Sequence, residues 1–425
     1  MRRNIKKRVL KKGTVSEEKT RPTRESKVNR DRGSKAIAKK VNHKLDPINH
    51  ESYTPIQVSQ EANQSGSCDF ELSKGNLIKI VNLFSVLSNK LEKNIVFEIT
   101  KGGNLRVTQE QEGVTALGYL DIKVTKYPKK SMVFVISKEV IKSLSEVVVD
   151  FALVSIEDSQ LQIIIQETDL ALSTIEVSEI STIHIDLEDY KDSEYLNADI
   201  VQETFGRASK IRVASAGIFE ATVSLGESIQ LGSSFYLSEV KDVFKKFNAD
   251  ISPDFLSYIL NIAKFAKKNV KFLKNDDFII VANDVGMMYK TALSNIQFPT
   301  NISKEFLPES TSLSVANFDS RTLMTSLAKL EIALYGVKSP ELYIQYNPRR
   351  HQADVYVKSL SNQKSKDSWA AGDMLKNKIG EFSILLDLLK NSISILDNDL
   401  SIEVYEDFIT LSDNKQIIVL AVTEK

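Results

Sequence analysis

SKEVIKSLSEVV at residues 137–148, continued by DFALVSIEDSQLQIIIQETDLALSTIEV at residues 150–177, decides how the rest of the chain is read. The first piece repeats apolar side chains three and four apart, which predicts an amphipathic helix. The second places β-branched runs on either side of Asp158 and Ser159, which predicts two strands about a tight turn, then a polar break and a third strand. The same succession recurs twice further on. Ser252 and Pro253 open a predicted helix through Lys268, as an N-cap followed by proline at the first helical position, and NVKFLKNDDFIIVANDVGMMYKTAL at 269–293 supplies its strands. EFSILLDLLKNSI at 381–393 leads into LSIEVYEDFITLSDNKQIIVLAV at 400–422, with the turn at Glu406 and Asp407.

Each of these units is preceded by another helix with its own strands. Those helices are predicted near Ser73 to Ser88, Asn197 to Lys210 and Asp319 to Leu334, with starts 124 and 122 residues apart. An even spacing with one order of elements predicts an α+β chain of three repeated domains, each of two helices and an antiparallel sheet. The expected divisions are 67–182, 183–305 and 306–425. Residues 1–66 hold few large apolar side chains, so they are expected to remain a disordered tail.

Composition narrows the classes. Of 425 residues, 42% are hydrophobic and 26% charged, an ordinary globular balance. The longest apolar runs, such as Val147 to Val154, fall far short of the roughly 20 residues that span a bilayer, and no apolar signal core follows the charged start. Glu17, Glu18 and Glu25 argue against an organellar transit peptide. A cytoplasmic protein with no membrane partner is expected. Cys68 is the one cysteine, which excludes an internal disulfide and paired-cysteine zinc sites. His43, His50, His184 and His351 show no metal-ligating spacing. No metal or cofactor is expected.

Net charge is zero, yet the first 46 residues carry 17 Lys or Arg against 5 Asp or Glu, which leaves 39 against 51 for the remainder. A basic arm on an acidic body meets DNA only if the body gathers its cations on one surface. Wheel projection of the six helices suggests such gathering. In the first, Leu77, Ile80, Val81 and Phe84 point inward and Lys79 outward. In the second, Val140, Leu144 and Val147 pack, leaving Lys138 and Lys142 exposed. Arg207 and Lys210 lie outside on the third. Leu256, Ile259, Leu260 and Ala263 form the stripe of the fourth, opposite Lys264 and Lys268. The fifth exposes Arg321 and Lys329, and the sixth Lys390. Cations facing phosphates without a base-reading motif predict binding to double-stranded DNA of any sequence, weakened by salt.

With FELSKGNLIKIVNLFSVLSN at 70–89, FVISKEVIKSLSEV at 134–147, LQIIIQETDLALSTIEV at 161–177 and the closing IIVLAV at 417–422, the body resembles the bacterial DNA polymerase III β subunit, the sliding clamp. The resemblance covers residues 68–425 and rests on the order and spacing of these segments. It implies a DNA clamp fold in which two subunits join head to tail as a homodimeric ring, helices line the hole, and polymerase and clamp loader dock by short peptides between the second and third domains. The groove residues it implies are Gly232, Phe235, Leu237, Pro253, Leu256, Val419, Leu420 and Val422. LGSSFYL at 231–237 replaces the family's Thr-Asp-Gly-Arg pattern, and LAVTEK replaces its Met-Pro-Met-Arg ending. Such departures suit a divergent member, such as a large bacteriophage would encode.

The implied function is that of a processivity factor in DNA replication, without enzymatic activity. A trimeric two-domain clamp, a scaffold binding DNA through its tail, and a metal-dependent DNA-processing enzyme are the alternatives. Against the enzyme stands the lack of a P-loop, dinucleotide fingerprint or nucleophile elbow. Asp276, Asp277, Asp397 and Asp399 read as turn residues. Trp369, in a polar stretch, reads as a side chain packed on its own domain rather than a partner anchor.

Overall fold

The computed structural model describes residues 67–87, 94–157, 160–165, 168–172, 185, 189–190, 192–214, 223–232, 236–295, 304, 307, 314–334, 336–338, 340–347, 352–361, 363–370 and 382–424. One order of elements runs through it three times, with one additional strand between the helices of the first repeat. The first repeat comprises β1 (Cys68–Ser73), α1 (Lys74–Phe84), β2 (Asn94–Ile99), β3 (Leu105–Gln111), β4 (Val114–Leu120), β5 (Lys123–Lys126), β6 (Met132–Ser137), α2 (Lys138–Val147), β7 (Phe151–Glu157), β8 (Gln160–Ile165) and β9 (Thr168–Leu172). The second has β10 (Asp192–Asn197), α3 (Ala198–Ala214), β11 (Val223–Leu225), β12 (Ile229–Gly232), β13 (Tyr236–Val240), β14 (Ala249–Ile251), α4 (Phe255–Phe265), β15 (Asn269–Lys274), β16 (Phe278–Asn283) and β17 (Met287–Ala292). The third has β18 (Ser314–Asp319), α5 (Ser320–Glu331), β19 (Glu341–Asn347), β20 (Gln352–Lys358), β21 (Lys364–Ala370), β22 (Phe382–Leu385), α6 (Leu386–Ile395), β23 (Asp399–Val404), β24 (Phe408–Ser412) and β25 (Gln416–Ala421), closed by β26 (Thr423–Glu424). The chain is α+β, with two helices and antiparallel strands in each repeat.

Several strands turn into helices without a loop, because the last strand residue is the cap. Ser73 Oγ accepts from the Asn76 amide, Ser137 Oγ from Val140, Asn197 Oδ1 from Asp199, and Asp319 Oδ1 from Arg321 and Thr322. The fourth helix departs from expectation. Residues 252–254 form a turn instead of the helix start, with Ser252 O accepting from the Phe255 amide at 3.0 Å, and α4 begins at Phe255 and ends at Phe265.

The strands form four antiparallel sheets: β5-β1-β7-β8-β9, β10-β15-β16-β17-β4-β3-β2-β6, β14-β11-β12-β13-β25-β24-β23-β18, and β21-β20-β19-β22-β26. Both eight-stranded sheets cross from one repeat to the next. β17 pairs with β4, Tyr289 opposite Ala116, and β13 pairs with β25, Leu237 opposite Val419. Strands with one covered face alternate: Cys68, Phe70 and Leu72 of β1 are buried, and so are Ala152, Val154 and Ile156 of β7. Seam strands are buried on both faces. Leu117, Ile280, Ala282 and Met288 pack outward against Ile185 and Tyr190, and Ile417 and Val419 pack outward against Leu307. The near-continuous apolar runs FIIVAN and QIIVLA follow from this double cover.

The helices lie together on the opposite side of the core. Within the repeats α1 packs on α2, α3 on α4 and α5 on α6, while α1 also meets α4 and α3 meets α6 across the seams. Trp369 is buried, donates its indole N–H to Ser326 Oγ at 2.8 Å and stands edge-on to Phe318. It is a packing residue of the third repeat, as expected. Cys68 is buried, and burial first, with the neighbouring Asp69 adding, pushes its thiol up to about 11.

Candidate nucleic acid interface and partner groove

Six of the ten expected channel cations are exposed on helix faces or just beyond helix ends: Lys142 on α2, Lys210 on α3, Lys264 on α4, Lys268 after it, and Arg321 and Lys329 on α5. Lys267, which the wheel did not single out, is exposed between Lys264 and Lys268. The run of two lysines after α4 was its signal. These three lysines follow the helix axis to its C-terminal end, where cations are also favoured by the carbonyl dipoles. The faces are not uniformly cationic. Glu139 and Glu146 flank Lys142 on α2, and Asp199 and Glu203 are exposed on α3.

The other four are engaged in the fold. Arg207 corrects the wheel reading: it points inward, with Nη1 2.7 Å from Asp413 Oδ2 and Nη2 2.8 Å from Asp397 Oδ1. α3 contacts both α4 and α6, so a single-stripe projection cannot find its outer face. Lys79 also departs from expectation. Its ammonium donates to the carbonyl of Tyr119, and burial first, with Lys267 adding and Asp121 opposing, lowers it to about 8. Lys138 is half-buried and donates to the Phe84 carbonyl at 2.9 Å, satisfying an open end of α1. Lys390 pairs with Glu331 at 2.6 Å between α6 and α5. Val147, expected in the core, is exposed, and Ile141 takes its place beside Leu144.

Each seam has its own polar fastening. Between the first and second repeats, Tyr289 donates to the Leu83 carbonyl, while Asn261 Nδ2 donates to Tyr289 Oη at 2.7 Å and to Asn82 O at 3.0 Å. Burial pushes the Tyr289 phenol far above its ordinary value, so it stays protonated. Between the second and third repeats the fastening is ionic. The Asp413 carboxylate takes Arg207 together with the amides of Asp397, Lys415 and Gln416. Burial alone would raise Asp413, but these donors hold it below the usual carboxylate range. Asp397 thereby has a structural task, and the Asn275 side chain accepts from the amides of Asp277 and Phe278, which makes the 275–278 segment an ordinary capped turn.

Of the expected groove residues, Leu237 and Val419 face each other across the second seam and share an outer apolar cluster with Ile417, Leu307 and Phe408. Gly232 pairs with Leu237, and a methyl group there would lie 2.5 Å from Leu237 Cδ2. Leu256 and Leu420 are corrections: both are fully buried on the helix side of the sheet, so neither is open to a peptide. Pro253 is half-buried in its turn, and Val422 is half-buried against the main core. Phe235, like all four histidines, lies outside the described residues. Leu307 and Phe408 escaped the sequence reading because a connector residue and a strand-start aromatic carry no periodicity.

No protein-family model and no curated protein matches the chain. Solved structures do. The DNA polymerase III subunit β of Pseudomonas aeruginosa superposes with a TM-score of 0.68 at 10% identity, covering 84% of this chain and 100% of that one. The β subunit of Thermotoga maritima gives 0.66 at 12% identity, over 84% and 100%. That of Borrelia burgdorferi gives 0.65 at 14%, over 84% and 99%. The fold is that of the bacterial sliding clamp. In this clamp fold the three repeats and the two crossing sheets fall within one chain, and the uncovered share is comparable in length to residues 1–66.

Proposed function

We propose that the protein is a sliding clamp, a processivity factor that closes as a head-to-tail dimer around duplex DNA and tethers a replicative polymerase. The pattern of strand pairing carries this reading. β4 and β13 hold the same place in the first and second repeats, and each pairs with the third strand after the second helix of the next repeat, β17 or β25. In the third repeat that place belongs to β21, and the last strand of the first repeat is β9. Both are sheet edges with no outer neighbour among the described residues. β21 of one copy against β9 of a second repeats the internal seam, and doing so twice closes six modules into a ring in which both of these edges are paired.

The two free ends support the same reading. Val147 and Val149 are exposed beside β7, and Ile332 and Leu360 are exposed on the third repeat. Val149 stands two residues before β7, as Asp397 stands two before β23 at the internal seam. Ile332 follows its cap by the same interval as Val86 follows Ser73, and Val86 is packed against the core. Large apolar side chains left open where the internal seams are covered suit a second copy of this chain.

Within such a ring the helix layer faces the hole. Lys142, Lys210, Lys264, Lys267, Lys268, Arg321 and Lys329 are then the phosphate-facing cations, and retention is topological, so weak contacts permit sliding. The domains divide at 67–182, 183–305 and 306–425. Leu237, Val419, Ile417, Leu307 and Phe408 form the groove for peptides of polymerase and clamp loader. The reaction chemistry belongs to those partners.

Two measurements test the proposal. Mass in solution is expected to be that of a dimer, and Ile332→Glu with Leu360→Glu should give a folded monomer. Loaded protein is expected to stay on nicked circular DNA and leave linearised DNA, with the monomeric variant lost from both. Equal retention on circular and linear DNA, or a wild-type monomer that retains DNA, refutes ring closure.

A further inference from the structure

On the first repeat, the turn between β2 and β3 meets the loop between β5 and β6. Gly103 ends the turn between β2 and β3, and the loop between β5 and β6 folds against it. A methyl group at Gly103 would come within 2.8 Å of Tyr127 Cε1 and 3.0 Å of Val124 Cγ2. Gly103 adopts φ +82°, where a side chain is strained, so glycine is required twice over. One side of the Tyr127 ring therefore rests on the turn, and the residue is still 62% exposed.

Lysines flank this ring along the chain and in the turn it rests on. Lys101 lies in the same turn as Gly103, and Lys130 stands two residues before β6. Lys126 closes β5, and Lys129 lies between Tyr127 and Lys130. All four lysines are exposed, and none has an ion-pair partner among the described residues. Of the nearby acids, Glu71 holds Lys123 at 2.6 Å, and Asp69, opposite Lys126 between β1 and β5, accepts from Ser155 Oγ at 2.6 Å. Pro128 is buried and anchors the loop. On a body whose net charge is negative, four unpaired cations around a fixed aromatic ring are a local reversal.

We infer that the patch of Lys101, Lys126, Tyr127, Lys129 and Lys130 binds single-stranded DNA, with a base stacked on Tyr127 and the flanking phosphates on the lysines. A duplex offers its phosphates but keeps its base faces stacked, so it would leave the ring unused. A single strand uses both. β5 and β6 are edge strands remote from the β9 and β21 edges, which leaves the patch open whether or not a ring forms.

The test uses the full chain and labelled oligonucleotides, so it needs neither loading nor ring closure. Binding of a dT oligomer and of a short duplex is measured by anisotropy across a salt series. Tyr127→Ala is expected to weaken dT binding about tenfold while changing duplex binding less than about twofold, and Tyr127→Phe should restore it. Lys126→Glu with Lys130→Glu should also flatten the salt dependence of dT binding, by about 0.7 in log–log slope for each phosphate left without its lysine. Undiminished dT affinity in Tyr127→Ala, or an equal loss for dT and duplex, overturns the assignment.

Discussion

Replacing Arg207 by methionine should loosen the seam between the second and third repeats while leaving each repeat folded. The guanidinium side chain is 9% exposed and the Asp413 carboxylate 1%, so methionine keeps most of the packing but strands a buried charge. Removing one partner of a buried pair costs about 3–5 kcal/mol. Asp413 retains the amides of Asp397, Lys415 and Gln416 at 2.7–2.8 Å, which reduces that figure. Asp397 is 56% exposed, and Glu203 lies at 3.8 Å on the same helix, so each adds about 0–1 kcal/mol after screening. A net loss of about 2–4 kcal/mol follows. Hydrogen exchange of the paired strands β13 and β25 reads it directly, because opening of one seam need not be global. Their amides should exchange roughly thirty- to several-hundred-fold faster.

The same carboxylate sets a pH dependence. Its folded value lies below that of the unfolded chain, about 3.9, so its contribution is complete above that value and disappears as pH falls through the folded one. Asp413→Asn should remove this portion of acid sensitivity. A double-mutant cycle with Arg207→Met should show strong coupling. Unchanged exchange at β13 and β25 in Arg207→Met, within about 0.5 kcal/mol, would refute the reasoning.

Three further outcomes are expected. Tyr289→Phe leaves the Leu83 carbonyl without its phenol donor in a buried seam, and urea unfolding should report a loss of about 1–3 kcal/mol. Gly118→Ala puts a methyl group 2.8 Å from Leu83 Cδ2 and 3.1 Å from Val107 Cγ2, both in the core, and should lower the thermal midpoint through about 1–3 kcal/mol of overpacking. Lys142→Glu with Lys264→Glu should weaken duplex association mainly at low salt and reduce the log–log salt slope by about 0.9 for each phosphate no longer neutralised, whereas no change at any salt would remove those faces from the channel.

Much of this architecture can be read from residues alone, because it is local or periodic. Ser73, Asn197 and Asp319 cap the first helix of each repeat from the last position of a strand, at an interval a reader can count, and Ser137 caps α2 in the same way. Alternation in β1 and β7 announces one covered face, and the long apolar runs of β16 and β25 announce two. Three α+β repeats with lysines on several helices follow from such signals. The seams do not. β4 meets β17 and β13 meets β25 through backbone groups that almost every residue possesses, so nothing in the side chains names the distant partner. Arg207 has the composition of a solvent-facing helix residue, and only the approach of Asp413 from the third repeat turns it inward. Leu307 joins Leu237 and Val419 for the same reason: a connector residue gains its neighbours when separate sheets are laid edge to edge. Pattern along the chain thus determines the modules, whereas their order in space, and the site formed between them, depends on contacts made after each module has folded.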